Sequence, residues 1–259
     1  MLITNDFVML NFPKTGSSFA RDVIKRLYDN RPSISNGKMS PAVIGLTLSK
    51  IDEINDYGIR DQHGTFRQIP SEHLHKPILS VMRNPISRYE STYFFRWWEK
   101  YPPSSQSEIM KRYPGFPQLS FDEYYEMMHI YGRENRLQGI TPKIDLGLMT
   151  IQFIQFYFKD PQAVLNKIDD NYIESKQYVN DIAPVMFIHQ ENLRKELMQF
   201  LIQLGIPAHE VEFIESMQKV NVTERNLLPS NKGTVIDDRV KKKIREREML
   251  IFSLFQEYL

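Results

Sequence analysis

The sequence contains no cysteine, which excludes disulfides, thiolate metal sites and cysteine nucleophiles. It also lacks an excess of charge: 33 Lys+Arg stand against 32 Asp+Glu, a formal net charge of +1. So balanced a chain offers no global field for nucleic acid, and any anion must be held by local geometry. Long apolar runs are missing too. The most apolar stretch, 146–158, is interrupted by Gln152 and Gln155; it is too short to span a bilayer and reads as a buried helix. Met1–Asp6 carries no basic segment ahead of its short apolar run and does not read as a secretory signal. The expectation is a cytoplasmic protein with no transmembrane segment and no nucleic-acid partner. No internal repeat is present.

What is there suits an ordinary globule. The 259 residues are 41% hydrophobic and 25% charged, which predicts a single domain spanning 1–259. Compact apolar runs at 7–12, 77–82 and 184–189 read as buried strands, with a shorter strand near 57–60. Between and after them, 19–28, 88–98, 121–131, 146–158, 193–204 and 237–258 read as helices. Gly205 stops the helix before it. Segment 31–41 reads as a loop and 221–234 as a polar loop. Segment 101–117, with Pro102, Pro103, Pro114 and Pro117, reads as a surface excursion, and 99–118 as a lid on the acceptor side. Strands separated by helices predict an α/β chain with a mostly parallel central sheet flanked by helices. Ligands of such sheets sit beyond the carboxyl ends of the strands.

Two loops there carry the chemistry. Pro13-Lys14-Thr15-Gly16-Ser17-Ser18-Phe19 follows the first strand and opens a helix, so its backbone N–H groups can converge on an anion. Gly16 permits a close turn, Ser17 and Ser18 add hydroxyls, and Lys14 adds a positive charge. A Ser-capped helix with no ligand is the alternative. The loop is not a Walker A motif, because its lysine precedes the glycine. Arg83-Asn84-Pro85 ends the second strand, and Ser91 lies eight residues after Arg83 in the next helix. The arginine fork suits phosphate oxygens, although it also suits a surface acid.

The heptamer Pro13–Phe19 resembles the 5'-phosphosulfate loop of the sulfotransferases, PK[ST]G[ST][ST] plus an aromatic residue, with Phe19 where many members have tryptophan. Arg83–Tyr93 resembles the family's 3'-phosphate motif, RxPxxRxxSxY. Asn231-Lys232-Gly233 is similar to a degenerate Arg-Lys-Gly element that touches the same phosphate. The clearer likeness covers residues 7–93. It implies the P-loop-like sulfotransferase fold, 3'-phosphoadenosine 5'-phosphosulfate as donor with no metal, and an acceptor hydroxyl on a carbohydrate, with a small metabolite or phenol as the alternative. On this resemblance Lys14, Thr15, Gly16, Ser17, Ser18 and Phe19 hold the phosphosulfate end. Arg83 and Ser91, with Lys232 and Gly233, hold the 3'-phosphate.

In-line transfer needs a group that stabilises the leaving oxygen and a base for the acceptor proton. Lys14 is placed for the first. His63, in Arg60–Thr65 between the two loops, is the candidate for the second, because its ordinary pKa lies near neutrality. Glu53 and Asp61 are alternative bases, Asp61 also a group that orients His63; His73 and His75 read as surface residues. Phe19 is a contact for adenine or a core anchor. Of the aromatic run Tyr93, Phe94, Phe95, Trp97 and Trp98, some members must be core and the rest suit an acceptor wall. The rival functions are a silent adenosine 3',5'-bisphosphate-binding module and a metal-dependent phosphotransferase.

Overall fold

The computed structural model describes residues 1–29, 33–35, 38–40, 43–44, 63–218 and 236–259. The first fold-determining event is a turn at Asn5-Asp6. The Thr4 hydroxyl donates to the Phe7 carbonyl at 2.8 Å and accepts from the amides of Asp6 and Phe7. This folds strand β1 (Leu2–Thr4) back antiparallel along β2 (Val8–Leu10), with Leu2 opposite Met9. Helix α1 (Ser17–Asp29) follows. Then β3 (Ser33–Ser35) and β4 (Lys38–Ser40) pair with each other, and β5 (Val43–Ile44) pairs antiparallel with β1. Strand β6 (Ile78–Met82) runs parallel to β2, and β7 (Val185–His189) runs parallel to β6.

The main sheet therefore has the order β5-β1-β2-β6-β7, mixed in sense, with three parallel strands. The β1 hairpin makes it less uniformly parallel than the strand–helix alternation predicts, because the Thr4 turn is a local polar device rather than an apolar run. Segment 31–41, expected as a loop, contains the β3–β4 pair. The strand expected near 57–60 lies outside the described residues.

The chain divides into two compact units. One comprises 1–83 and 183–222, the other 84–182 and 223–259. The first holds the sheet. Its strands alternate, so Met9, Leu79, Val81 and Ile188 project to one face, where they join Val23 and Ile24 of α1 in one buried cluster. The helix Leu193–Gln203 adds Leu197, Phe200 and Leu201 to it. Each such side chain taken from water contributes about 1.5–3 kcal/mol.

The second unit is helical. Asn84 caps α2 (Pro85–Phe95) by accepting the Ile86 amide at 2.9 Å, and Pro85 presets the first turn. The helix expected over 88–98 breaks at Arg96, whose φ of 53° is left-handed, and resumes as Trp97–Lys100. The 121–131 segment is α-helical over Phe121–Met127 and passes into a π-helical turn, Met128–Gly132. The last helix is two, Asp238–Arg247 and Met249–Leu254, parted at Glu248. Segment 101–117 is not all surface: it contains the helix Gln106–Arg112 and buries Ile109, Tyr113 and Phe116. Basic residues at four-residue spacing, Arg239, Lys243 and Arg247, meet Asp122 and Glu126, also four apart. Among the described residues, no helix is long and apolar enough to cross a membrane.

Candidate anion-binding site

The three parallel strands end at Leu10, Met82 and His189, with Met82 directly opposite His189 in the register. The chain leaving each end supplies a polar group. After β2 the backbone turns into α1 through two left-handed residues, Lys14 at φ 64° and Gly16 at φ 96°. The hydroxyls of Thr15 and Ser17 both donate to the Phe12 carbonyl, at 2.9 and 3.2 Å, which ties the turn to the end of the strand. The expected role of the Ser17 hydroxyl as a donor to a ligand is thus taken by an internal bond. Gly16 is required twice. Its backbone is left-handed, and a Cβ there would lie 3.0 Å from Gln190 Cγ and 3.2 Å from Leu193 Cδ2.

The result is a run of donors without partners among the described residues. Among the described residues, no acceptor takes a hydrogen bond from the backbone N–H groups of Thr15, Gly16, Ser17 or Ser18; the Gly16 carbonyl, by contrast, accepts from Phe19 and Ala20. Those four amides stand at the start of a 13-residue helix, where aligned peptide dipoles place a partial positive charge. Thr15 is fully buried and Ser17 nearly so, whereas Gly16 and Ser18 are half-buried.

Two further sequence-predicted residues come to this edge. The Arg83 guanidinium, one residue past β6, donates from Nη1 to the Lys14 carbonyl at 3.5 Å. His63 is held by its Nδ1, 2.7 Å from the Asn11 carbonyl. A carbonyl only accepts, so Nδ1 carries the proton of the neutral ring and Nε2 carries the lone pair. This is the tautomer a general base needs. By contrast, His73 and His75 precede β6, at its amino end.

Phe19 is buried in the hydrophobic cluster, with the Arg194 guanidinium 4.8 Å from its ring centroid. Its ring serves as a core anchor. Ser91 is half-buried on α2 and belongs to the helical unit, whereas Arg83 belongs to the sheet unit. Other members of the Arg83–Tyr93 segment are committed to the helical core. Arg88 donates to Gln152 Oε1 at 2.6 Å, the Tyr89 hydroxyl donates to Glu248, and Tyr93 donates to the Leu119 carbonyl. Lys232 and Gly233, and the alternative bases Glu53 and Asp61, lie outside the described residues.

One residue at this edge escaped the sequence reading. His189 closes β7, and its Nδ1 lies 3.0 Å from the Glu196 carboxylate, which also accepts the His189 backbone N–H at 2.7 Å. The signal was available, since a histidine ending a parallel strand stands where ligands bind. The adjoining Gln190 is the residue a Cβ on Gly16 would strike. Among the described residues, no group of three or more His, Asp or Glu side chains converges as a metal site would require. No protein-family model matches the chain, and no curated protein matches it significantly.

Proposed function

We propose that the chain is a sulfotransferase that moves a sulfuryl group from 3'-phosphoadenosine 5'-phosphosulfate to an acceptor hydroxyl, foremost on a carbohydrate. The observation that carries this reading is the row of four backbone amides, Thr15 to Ser18, that find no acceptor among the described residues, behind Lys14. The resemblance of Pro13–Phe19 and Arg83–Tyr93 to the two phosphate motifs of that family selects a sulfonucleotide among possible anions. The reading rests on these two loops.

The donor supplies an activated sulfuryl group joined to a 5'-phosphate. The amides of 15–18 receive the phosphosulfate oxygens, and Lys14 offsets the negative charge that grows on the bridging oxygen as the S–O bond to it breaks. His63 takes the proton of the acceptor hydroxyl at Nε2 as the new O–S bond forms. Arg83 supplies a charged fork for phosphate, and the resemblance adds Ser91, Lys232 and Gly233 to the 3'-phosphate contacts. The products are the sulfated acceptor and adenosine 3',5'-bisphosphate.

The direct experiment is calorimetric titration with adenosine 3',5'-bisphosphate beside adenosine 5'-monophosphate, without metal. Binding that prefers the bisphosphate, and that weakens in Arg83→Ala but not in His63→Ala, supports the donor site. Equal affinity for the two nucleotides, or none for either, refutes it. Binding without turnover in any acceptor screen would favour the silent module.

A further inference from the structure

The aromatic run after α2 sorts itself by burial. Tyr93 and Trp98 are core: the Tyr93 hydroxyl donates to the Leu119 carbonyl, and Trp98 Nε1 donates to the Tyr93 carbonyl at 3.3 Å. Phe95, Trp97 and Tyr101 stay 47%, 40% and 51% exposed. The left-handed turn at Arg96 separates α2 from the short helix Trp97–Lys100 and sets Phe95 against Trp97, their rings stacked at 5.8 Å and 20°. Trp97 in turn lies 4.5 Å from Tyr101. Large rings left in contact with water form an apolar patch that a soluble surface rarely keeps without a partner.

The charge beside the patch narrows the partner. The Lys100 ammonium lies 5.8 Å from the Trp97 ring centroid and 5.3 Å from that of Tyr101. Among the described residues it pairs with no carboxylate, whereas neighbouring Arg96 is paired with Glu99, and Lys111 with Glu108. One such lysine, the cation shown against these rings among the described residues, is too little for an anionic bilayer, which is held by clusters of basic residues. A second copy docking face to face would set two such lysines against each other. A ring with apolar C–H faces and one carboxylate satisfies both the aromatic faces and the ammonium.

We propose that Phe95, Trp97, Tyr101 and Lys100 form a subsite for an acidic pyranose of an extended glycan. The proposal rests on the carbohydrate-acceptor reading and deepens it: the acceptor is a polyanionic chain rather than a single sugar or a phenol. The aromatic rings take the sugar's C–H faces, and Lys100 takes its carboxylate.

The test is titration with a hyaluronan hexasaccharide, followed by calorimetry and by tryptophan emission. Only two tryptophans are present, and Trp98 is buried, so a change in emission on binding reports Trp97. The expected result is binding that falls about tenfold or more in Trp97→Ala and in Tyr101→Ala, the loss of one desolvated ring contact. Lys100→Gln should bind more weakly and lose most of the salt dependence, and neutral maltohexaose should bind more weakly than the acidic sugar. All three side chains are exposed, and thermal melts confirm that the variants fold. No binding of the hexasaccharide, or equal affinity in the wild type and both ring variants, overturns the subsite. So does a Trp97-dependent interaction found instead with phosphatidylcholine–phosphatidylserine vesicles or with a second copy in sedimentation. Adenosine bisphosphate binding, measured in parallel, separates the two readings. If it persists while the hexasaccharide fails, the subsite alone is lost; the reverse outcome removes the donor site and leaves the subsite standing.

Discussion

Two helix N-termini in this protein meet the same physical demand in opposite ways. At the start of Leu148–Tyr157 the acceptor comes from within the chain: Glu248, fully buried, accepts from the amides of Met149 at 3.2 Å and Thr150 at 2.6 Å and from the Tyr89 hydroxyl. At the start of α1 the amides of 15–18 find no such group among the described residues. Orphan amides at a helix start require a cap, water or a ligand. A terminus closed by its own carboxyl is a structural joint; one with no such partner among the described residues, behind a lysine, is the feature on which the proposed donor site rests. Sequence alone does not separate them, because Glu248 lies about a hundred residues from the amides it caps.

Substituting the glycine at each terminus sharpens the contrast, and the largest effect belongs to the closed one. Gly147 has an ordinary φ of −71°, but a Cβ on it would lie 2.0 Å from Glu248 Oε1. Gly147→Ala should therefore destabilise the fold by about 3 kcal/mol, the upper range for overpacking, read as a lowered midpoint in chemical denaturation. An unchanged midpoint would mean that Glu248 does not fill this cradle.

Gly16→Ala should cost less stability, about 1–2 kcal/mol for a non-glycine residue at a left-handed position. Its main effect should fall on binding. Titration with adenosine 3',5'-bisphosphate should show a loss of tenfold or so, as the loop shifts away from Gln190 and Leu193. If affinity holds while stability falls, the α1 terminus is a plain cap and the comparison collapses.

The smallest effect concerns pH. Burial pushes the Glu248 carboxyl above its ordinary range, against the Tyr89, Thr150 and Met149 donors that favour the anion. The folded state then binds this proton more tightly than the unfolded chain does, so this group's contribution to stability falls as pH rises from the ordinary carboxylate range to the raised folded value, and is level above it. Glu248→Gln removes that slope. The stability of wild type minus variant should decline between acidic and neutral pH; a constant or rising difference would contradict the sign.

Much of the fold was legible because it is written in local periodicity. The runs behind β2, β6 and β7, and the helices α1 and Leu193–Gln203, lie within a few residues of where their apolar spacing predicts. The misses share a cause. The β1 hairpin depends on one threonine hydroxyl, the break at Arg96 on a left-handed residue, and the division of the last helix on Glu248, whose carboxyl is held by another helix. None of these leaves a mark on periodicity.

By itself, the sequence determined the α/β order, the absence of any thiol chemistry, and the identity of a Lys-Thr-Gly-Ser-Ser turn between a strand and a helix, since composition and short-range pattern depend only on neighbouring residues. Tertiary structure decided which donors of that turn find no acceptor among the described residues, that the Ser17 hydroxyl is spent on Phe12 and the Phe19 ring on the core, and that the Asn11 carbonyl holds His63 in one tautomer. It also decided which aromatics of 93–101 face water. Those outcomes depend on which distant groups arrive at hydrogen-bonding or van der Waals distance, and proximity of that kind comes into existence only when the chain is folded.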